Sequence, residues 1–287
     1  MNLIEIITLT IGAVLLLIIV AGSFRLKIPR RVSLQGIEDP KAAEAYDRIS
    51  RMPQFELIRR SFVKKLKKYA GEGIITDVGC GPGYLLQVTA KEFPRNKLVG
   101  VDISAEMVER ARANLGSMGY GERVEFRQGS ADDLPFDDGT QDFVVSTLSL
   151  HHWADPHSSF DEIYRVLKPG GQMLILDIRR DARRMFSWFM WFAQNVALRL
   201  IGENALRRIN EPMGSLRASY TLAEVEGMLA KTSFSDFTIE GKLGWMYIWG
   251  EKRRGEAEQF LKSQVSRYAK EITQNKHEER RTLKVYR

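Results

Sequence analysis

The run Gly73-Ile-Ile-Thr-Asp-Val-Gly-Cys-Gly-Pro-Gly83 decides how the rest of the chain reads. Its first half is short and apolar, which predicts a buried strand. The glycines at 79, 81 and 83 let the backbone turn sharply and approach a ligand closely. Tyr84–Glu92 then reads as a helix whose first N–H groups lack partners within the helix. A strand, a glycine turn and a helix start together open a βαβ unit.

Working outward, the pattern repeats. Lys97–Asp102 predicts a second strand and Ala105–Leu115 a second helix, capped by Ser104. Val124–Arg127 and Phe143–Thr147 predict the third and fourth strands. Asp155-Pro156 supplies a cap and a proline at the first helical position, opening a helix to about Leu167. Lys168-Pro-Gly-Gly171 predicts its stop, and Gln172–Ile178 a fifth strand. Thr221-Leu-Ala-Glu224 is a capping box for a helix to about Lys231. Phe237–Glu240 and Trp245–Trp249 read as a closing hairpin. Strands alternating with helices predict an α/β, Rossmann-like, mostly parallel sheet with helices on both faces.

The chain has 287 residues, 44% hydrophobic and 28% charged, which excludes a disordered or fibrous protein. Its one cysteine, Cys80, excludes an intrachain disulfide framework and any multi-cysteine zinc site. The net charge of +7 is unevenly placed. Residues 1–31 carry four cations against one acid, and residues 251–287 carry 11 against 6. The centre is left at −1. A near-neutral centre argues against a nucleic-acid-binding core and directs attention to a membrane surface.

From Leu3 to Val20 the chain is almost unbroken Leu, Ile and Val, and Ile6–Phe24 is long enough to cross a bilayer as a helix, which makes residues 3–24 a candidate membrane segment, with Arg25, Lys27, Arg30 and Arg31 following. Cations after the run, and none before it beyond the amino terminus, predict an uncleaved single-pass N-terminal transmembrane helix with everything downstream in the cytoplasm. A cleaved signal peptide and a buried core helix are the rival readings.

The glycine turn carries the chemistry. A carboxylate at Asp102, where the second strand ends, can accept hydrogen bonds from both hydroxyls of a ribose. A dinucleotide fingerprint would be G-x-G-x-x-G; this turn is G-x-G-x-G with Pro82 inside it and Asp77 before it. A carboxylate repels a pyrophosphate and attracts an amino group. Asp77 therefore favours a cofactor with an α-amino acid end, and S-adenosylmethionine has that end together with a ribose and a sulfonium.

Asp77–Gly83, Val99-Gly-Val-Asp-Ile-Ser104, Gly129-Ser-Ala-Asp-Asp-Leu-Pro-Phe136, Gln141-Asp-Phe-Val-Val145 and Leu167-Lys-Pro-Gly-Gly171 also occur in a familiar order. Together they resemble the class I S-adenosylmethionine-dependent methyltransferases, in the small-molecule branch that includes the quinone-biosynthesis enzymes. Ala45-Tyr-Asp-Arg-Ile49 is similar to that branch's N-terminal helix motif, and the resemblance covers roughly residues 41–251. It implies a seven-stranded sheet whose last strand is antiparallel. It also implies that Gly79, Gly81 and Gly83 line the methionine moiety, with Asp77 near its amino group and Thr147 near the same end. Asp102 would hold the ribose, Ile103 would pack on adenine, and Ala131 would offer backbone contacts to the adenine edge. Ser130 stands where the family commonly has Asp; its hydroxyl, or the Asp132 carboxylate, would take the adenine amino group.

On the acceptor side, Ser149-Leu-His151-His152-Trp153 follows the fourth strand. Either histidine can serve as a base, since an unperturbed imidazole titrates near neutrality; the alternative is a capping or packing role. No metal site is expected. Residues 179–219 form an insertion opening with Arg179-Arg-Asp-Ala-Arg-Arg184 and continuing through Met185–Phe192. Cations beside tryptophan and phenylalanine mark an interfacial helix as well as a buried one. The expectation is a lid over a small or lipid-like acceptor, with a second membrane contact through residues 179–201. The organisation read from the sequence is an anchor and basic flank over 1–31, a methyltransferase domain over 32–251, and a charged helical tail over 252–287. Three other functions stay open: an NAD(P)-dependent reductase, an RNA or protein methyltransferase, and a non-catalytic membrane scaffold with a relict fold.

Overall fold

A computed structural model describes residues 3–25, 28–32, 38–192 and 213–255. At its centre is a seven-stranded sheet of β1 (Ile74–Val78), β2 (Lys97–Asp102), β3 (Val124–Gln128), β4 (Gln141–Thr147), β5 (Leu167–Ile178), β6 (Asp236–Lys242) and β7 (Trp245–Glu251). The strand order is β3-β2-β1-β4-β5-β7-β6. All pairings from β3 to β5 are parallel, and β7 runs antiparallel to both of its neighbours. This is the expected sheet, and it places the carboxyl ends of β1 and β2 side by side, with Val78 opposite Val101.

Helices cover both faces because the central strands alternate between two apolar sets. On one face Ile75, Leu98, Phe143 and Val145 meet α3 (Pro53–Leu66), α4 (Tyr84–Glu92) and α5 (Ala105–Ser117). On the other, Val78, Val144, Ile175 and Ile248 meet α6 (Pro156–Val166) and α9 (Leu222–Leu229). Strands buried on both faces need apolar side chains at successive positions, which is why they read as continuous runs. The remaining helices are α1 (Leu3–Ser23), α2 (Pro40–Ser50), α7 (Arg184–Phe192) and the single-turn α8 (Gly214–Ala218). The expected caps form. Ser104 accepts from Met107 N–H, Asp155 from His157 and Ser158 N–H, and Thr221 with Glu224 makes a reciprocal capping box.

Two expectations need correction. The single-pass span over residues 3–24 is not supported, for among the described residues no helix is long and apolar enough to cross a membrane. α1 does follow its apolar run, yet its last turn belongs to the protein. Gly22 seats against Met185 and Trp188 of α7, where an added Cβ would come within 3.2 Å of both. The Phe24 carbonyl accepts from Arg184 N–H at 2.9 Å. Second, Lys168–Gly171 does not merely stop a helix but is drawn into β5. Gly170 N–H donates to the Lys252 carbonyl and Lys252 N–H to the Gly171 carbonyl, at 2.7 and 2.9 Å. The insertion is described as far as residue 192 and again from 213; its Ala193–Ile201 part and the tail beyond residue 255 lie outside the described residues.

A buried carboxylate fastens α2 to two of the helices that cover the sheet. Asp47 accepts from Tyr84 O–H (2.8 Å), Asn114 Nδ2 (2.9 Å) and Arg51 Nη2 (2.6 Å), linking α2 to α4 and α5. Burial, with Asp47 beside it, pushes the Tyr84 phenol up to about 12. Replacing Asp47 with Ala strands a phenol and an amide in a dry site. The expected cost is about 2–4 kcal/mol of unfolding free energy, read by urea titration. A loss below about 1 kcal/mol would show that the clamp contributes little.

Candidate cofactor site

The loop between β1 and α4 is shaped by left-handed backbone at Gly79 (φ 73°), Gly81 (φ 51°) and Gly83 (φ 86°). These φ values exclude most side chains. Space adds a second constraint at two of them. A Cβ on Gly79 would lie 2.0 Å from Ser149 Oγ, and one on Gly83 2.7 Å from Leu115 Cδ1. Gly81 is different. A Cβ there would meet only Tyr46, at 3.7 Å, so this glycine faces open space.

The loop lies across the end of β2. Gly79 and Cys80 N–H both donate to the Val101 carbonyl, at 2.8 and 3.0 Å. Asp102 then uses one oxygen for Gly81 N–H (2.8 Å) and the other for Ser104 N–H (3.0 Å). Each oxygen keeps a further lone pair for a ligand hydroxyl. Burial raises the Asp102 carboxyl, opposed by those backbone donors. Burial also drives the Cys80 thiol well above its usual range, so it is an inert wall of the loop.

Asp77 is 1% exposed, and its Oδ1 has no hydrogen-bond partner. Burial, with Asp102 nearby, pushes it up to about 8. A buried carboxyl oxygen without a donor is costly and calls for an explanation. An ammonium group from a ligand provides one. A cavity opens at the loop, between Tyr46, Ser50 and Arg59 of α2 and α3 on one side and Gly79–Pro82 on the other, with Thr147 and Leu148 closing it. Leu148 holds a left-handed φ of 59°, a strained backbone for a branched side chain.

The other expected residues are placed as follows. Ile103 follows Asp102 and is 37% exposed, available as a flat apolar surface. The Ser130 hydroxyl donates to Asp132 just past the end of β3, so the hydroxyl and the carboxylate considered for adenine sit together. Ala131 packs against the second apolar cluster. His151 and His152 lie in a 3-10 turn after β4 and are not among the residues lining the cavity. His151 is buried. Its Nδ1 is 2.8 Å from Asp177 Oδ1, and its backbone N–H donates to Asp177 Oδ2 at 2.8 Å. His152 stacks obliquely on it at 4.1 Å. Among the described residues no cluster of three or more His, Cys, Asp or Glu is placed to hold a metal. Sequence reading missed Tyr46, Arg59 and Asp177 as site residues. The Ala45–Ile49 motif was the available signal for Tyr46, and the strand-end position of Asp177 was the signal for that carboxylate.

These residues fit an adenosyl amino acid: an orphan acid for an ammonium, an open glycine wall, and a strand-end carboxylate with spare lone pairs. Known proteins agree. The family profile of a methyltransferase domain matches residues 76–175. A demethylmenaquinone methyltransferase of Symbiobacterium thermophilum is 36% identical over 156 residues, covering 53% of this chain and 60% of that protein. The ubiquinone/menaquinone biosynthesis C-methyltransferase UbiE of Geotalea daltonii is 31% identical over 163 residues, covering 56% of this chain and 69% of the relative. A crystal structure from Methanococcus maripaludis, described as an S-adenosyl-L-methionine-dependent methyltransferase, superposes with a TM-score of 0.60 at 23% identity. It covers 78% of this chain and 97% of that one, and supports the fold. The chain belongs to the class I S-adenosylmethionine-dependent methyltransferases, in the branch that includes the quinone-biosynthesis enzymes.

Asp77 makes ligand-free stability depend on pH. Its folded carboxyl holds a proton up to about 8, whereas the unfolded one releases it near 4. Its stabilising contribution is therefore complete below about pH 4 and is lost as pH rises through about 8. Without ligand, Asp77→Asn should gain on the parent in unfolding free energy between pH 5 and pH 8, measured by denaturant titration at each pH. Parallel pH profiles for the two proteins would refute the orphaned state of this acid.

Proposed function

We propose that this protein transfers the methyl group of S-adenosylmethionine to a ring carbon of a small, lipophilic, quinone-type acceptor. The orphaned, buried Asp77 oxygen at the foot of the glycine loop carries the cofactor half of this reading. The acceptor half is supported by the named activities of the relatives, which are demethylmenaquinone and ubiquinone/menaquinone methyl transfer.

When bound, the cofactor supplies a methyl group already activated on sulfur. The protein's part is alignment, exclusion of water and proton movement. A phenolic ring carbon becomes nucleophilic when its hydroxyl loses a proton. His151 is the proposed base. Asp177 fixes Nδ1 as the protonated nitrogen, which leaves Nε2 to take that proton. The new bond joins ring carbon to methyl, the carbon–sulfur pair stays on sulfur, the ring proton passes to solvent to restore aromaticity, and His151 returns its proton to the phenolate oxygen. Labelled-methyl transfer into host extracts should place label in the lipid-soluble fraction. His151→Ala should lower the rate about 100-fold or more with cofactor affinity unchanged. Label in RNA or protein, or an unaltered rate, would overturn this assignment.

The same proposal seats the protein on a lipid surface, with the domain on the cytoplasmic side. From Ile11 to Val20 the large apolar side chains of α1 are 46–67% exposed, and Met185, Trp188, Trp191 and Phe192 of α7 are exposed beside them. Exposed Arg25, Arg183 and Arg184 border this surface. Apolar and aromatic groups bordered by cations suit an anionic interface. Leu16→Asp with Leu17→Asp should cut sedimentation with anionic liposomes at least fivefold while cofactor binding persists. Unchanged sedimentation would remove α1 from any lipid contact.

A further inference from the structure

The segment that follows α1 touches the domain at two places far apart in the sequence. One is the start of α7. Besides the Gly22 and Phe24 contacts given above, Arg25 pairs backbone to backbone with Arg183, and its guanidinium lies 3.9 Å from Asp181. The other is the end of α8. Arg31 N–H donates to the Arg217 carbonyl at 3.0 Å, and Arg30 Nε donates to the Ala218 carbonyl at 2.8 Å. The Arg30 guanidinium then lies over the Tyr220 ring, 4.1 Å from its centre. Residues 22–25 thus hold one stretch of the domain and residues 30–31 the other, as a clasp with two ends.

Those two stretches meet behind the proposed base. Arg180, three residues past Asp177, is buried. Its backbone N–H donates to the Tyr220 carbonyl at 3.0 Å and its Nη1 to the Ser219 carbonyl at 2.8 Å, while its Nη2 holds Glu224. Arg179 and Tyr220 are also bridged as parallel strands are. Tyr220 is 6% exposed and belongs to the same apolar cluster as Leu150, the residue before His151. Arg30 therefore rests on the group that sets the chain just beyond Asp177, and Asp177 in turn fixes the His151 ring. A segment outside the sheet and outside the glycine loop reaches the base through two buried residues.

We propose that this clasp makes a lipid surface the regulator of the base: α1 taken up by a bilayer keeps Arg30 seated on Tyr220, and Tyr220 with Arg180 keeps the Asp177–His151 pair in place. This rests on the lipid and base readings above. A ligand shifts an equilibrium only by favouring one of two arrangements. In water the apolar side chains of α1, 46–67% exposed from Ile11 to Val20, favour any arrangement that turns them inward, at the expense of the clasp. A bilayer removes that pull. It covers the same side chains while leaving the last turn of α1 and residues 28–32 on the domain. Arg30 is in this sense a positioning residue, acting through Tyr220 and Arg180 rather than on the acceptor.

Hydrogen exchange on the full chain, with S-adenosylmethionine present, tests this with and without vesicles of phosphatidylcholine and phosphatidylglycerol. In the wild type the vesicles should slow exchange over residues 215–220 by about tenfold. In the same samples kcat for naphthohydroquinone, a ring acceptor without a side chain, should rise about fivefold or more with KM unchanged. Arg30→Gln should sediment with the vesicles and bind the cofactor as the wild type does, yet lose both responses. Arg30→Lys should keep part of each, since it retains a cation over the ring and loses the planar face. A wild type that sediments with the vesicles but shows unchanged exchange over residues 215–220 overturns the clasp and leaves the lipid reading standing, without any variant having to fold. A gain confined to KM overturns it as well, since the lipid would then act on acceptor capture. So does a glutamine variant that responds as fully as the wild type. A wild type that does not sediment with the vesicles overturns the lipid reading itself, and this proposal with it.

Discussion

The carboxylate of Asp102 holds the functional end of this molecule together. It stands where β2 ends, and its two oxygens take backbone N–H groups from two different connections, Gly81 and Ser104. One side chain therefore sets the path of the glycine loop and the start of α5. Because Asp102 lies one strand from Asp77, it also adds to the field that keeps Asp77 protonated. The geometry of the loop and the charge state of the acid beneath it are thus coupled through a single group. Two acids this near and this dry are costly unless a cation arrives, which is the energetic basis of the cofactor recognition proposed above.

Around that pair the protein spends polar groups where apolar ones would be cheaper. Asp47, Asp77 and Asp177 are all buried, and they differ in how they are satisfied. Asp47 is saturated by three donors and acts as a fastener. Asp177 is saturated by the His151 ring and by the backbone of His151 and Ile178. Only Asp77 is left with an unmatched oxygen. Satisfied networks give rigidity, whereas an unsatisfied group stores a demand that a ligand can meet.

Much of the sheet and of the loop was legible in the sequence because its determinants are local. Gly79, Gly81 and Gly83 announce backbone that other residues adopt only under strain, and Ser104, Asp155 and Thr221 bond to N–H groups within three positions. What could not be read depends on distant partners. Asp47 meets Tyr84 and Asn114 across 37 and 67 residues, and His151 meets Asp177 across 26. Arg59 looks like one more surface cation in Glu-Leu-Ile-Arg-Arg until the fold brings it beside Tyr84. Lys168–Gly171 reads as a plain helix stop because its strand partner lies some eighty positions later, at Lys252. The apolar run at the amino end was legible as a helix, but its packing against Met185 and Trp188 was not.

The place of β7 has a consequence for biosynthesis. β6 leaves the ribosome before β7, yet β7 sits between β6 and β5. Until Trp245–Glu251 has been made, β5 presents a bare edge and β6 has nothing to pair with. The nascent domain therefore carries an unguarded, strongly apolar strand from the synthesis of Ile178 until Glu251 has been made, a species prone to mispairing and to chaperone capture. β6 pairs with β7 alone, so the sheet is completed by an antiparallel hairpin of these two strands adding to the β5 edge.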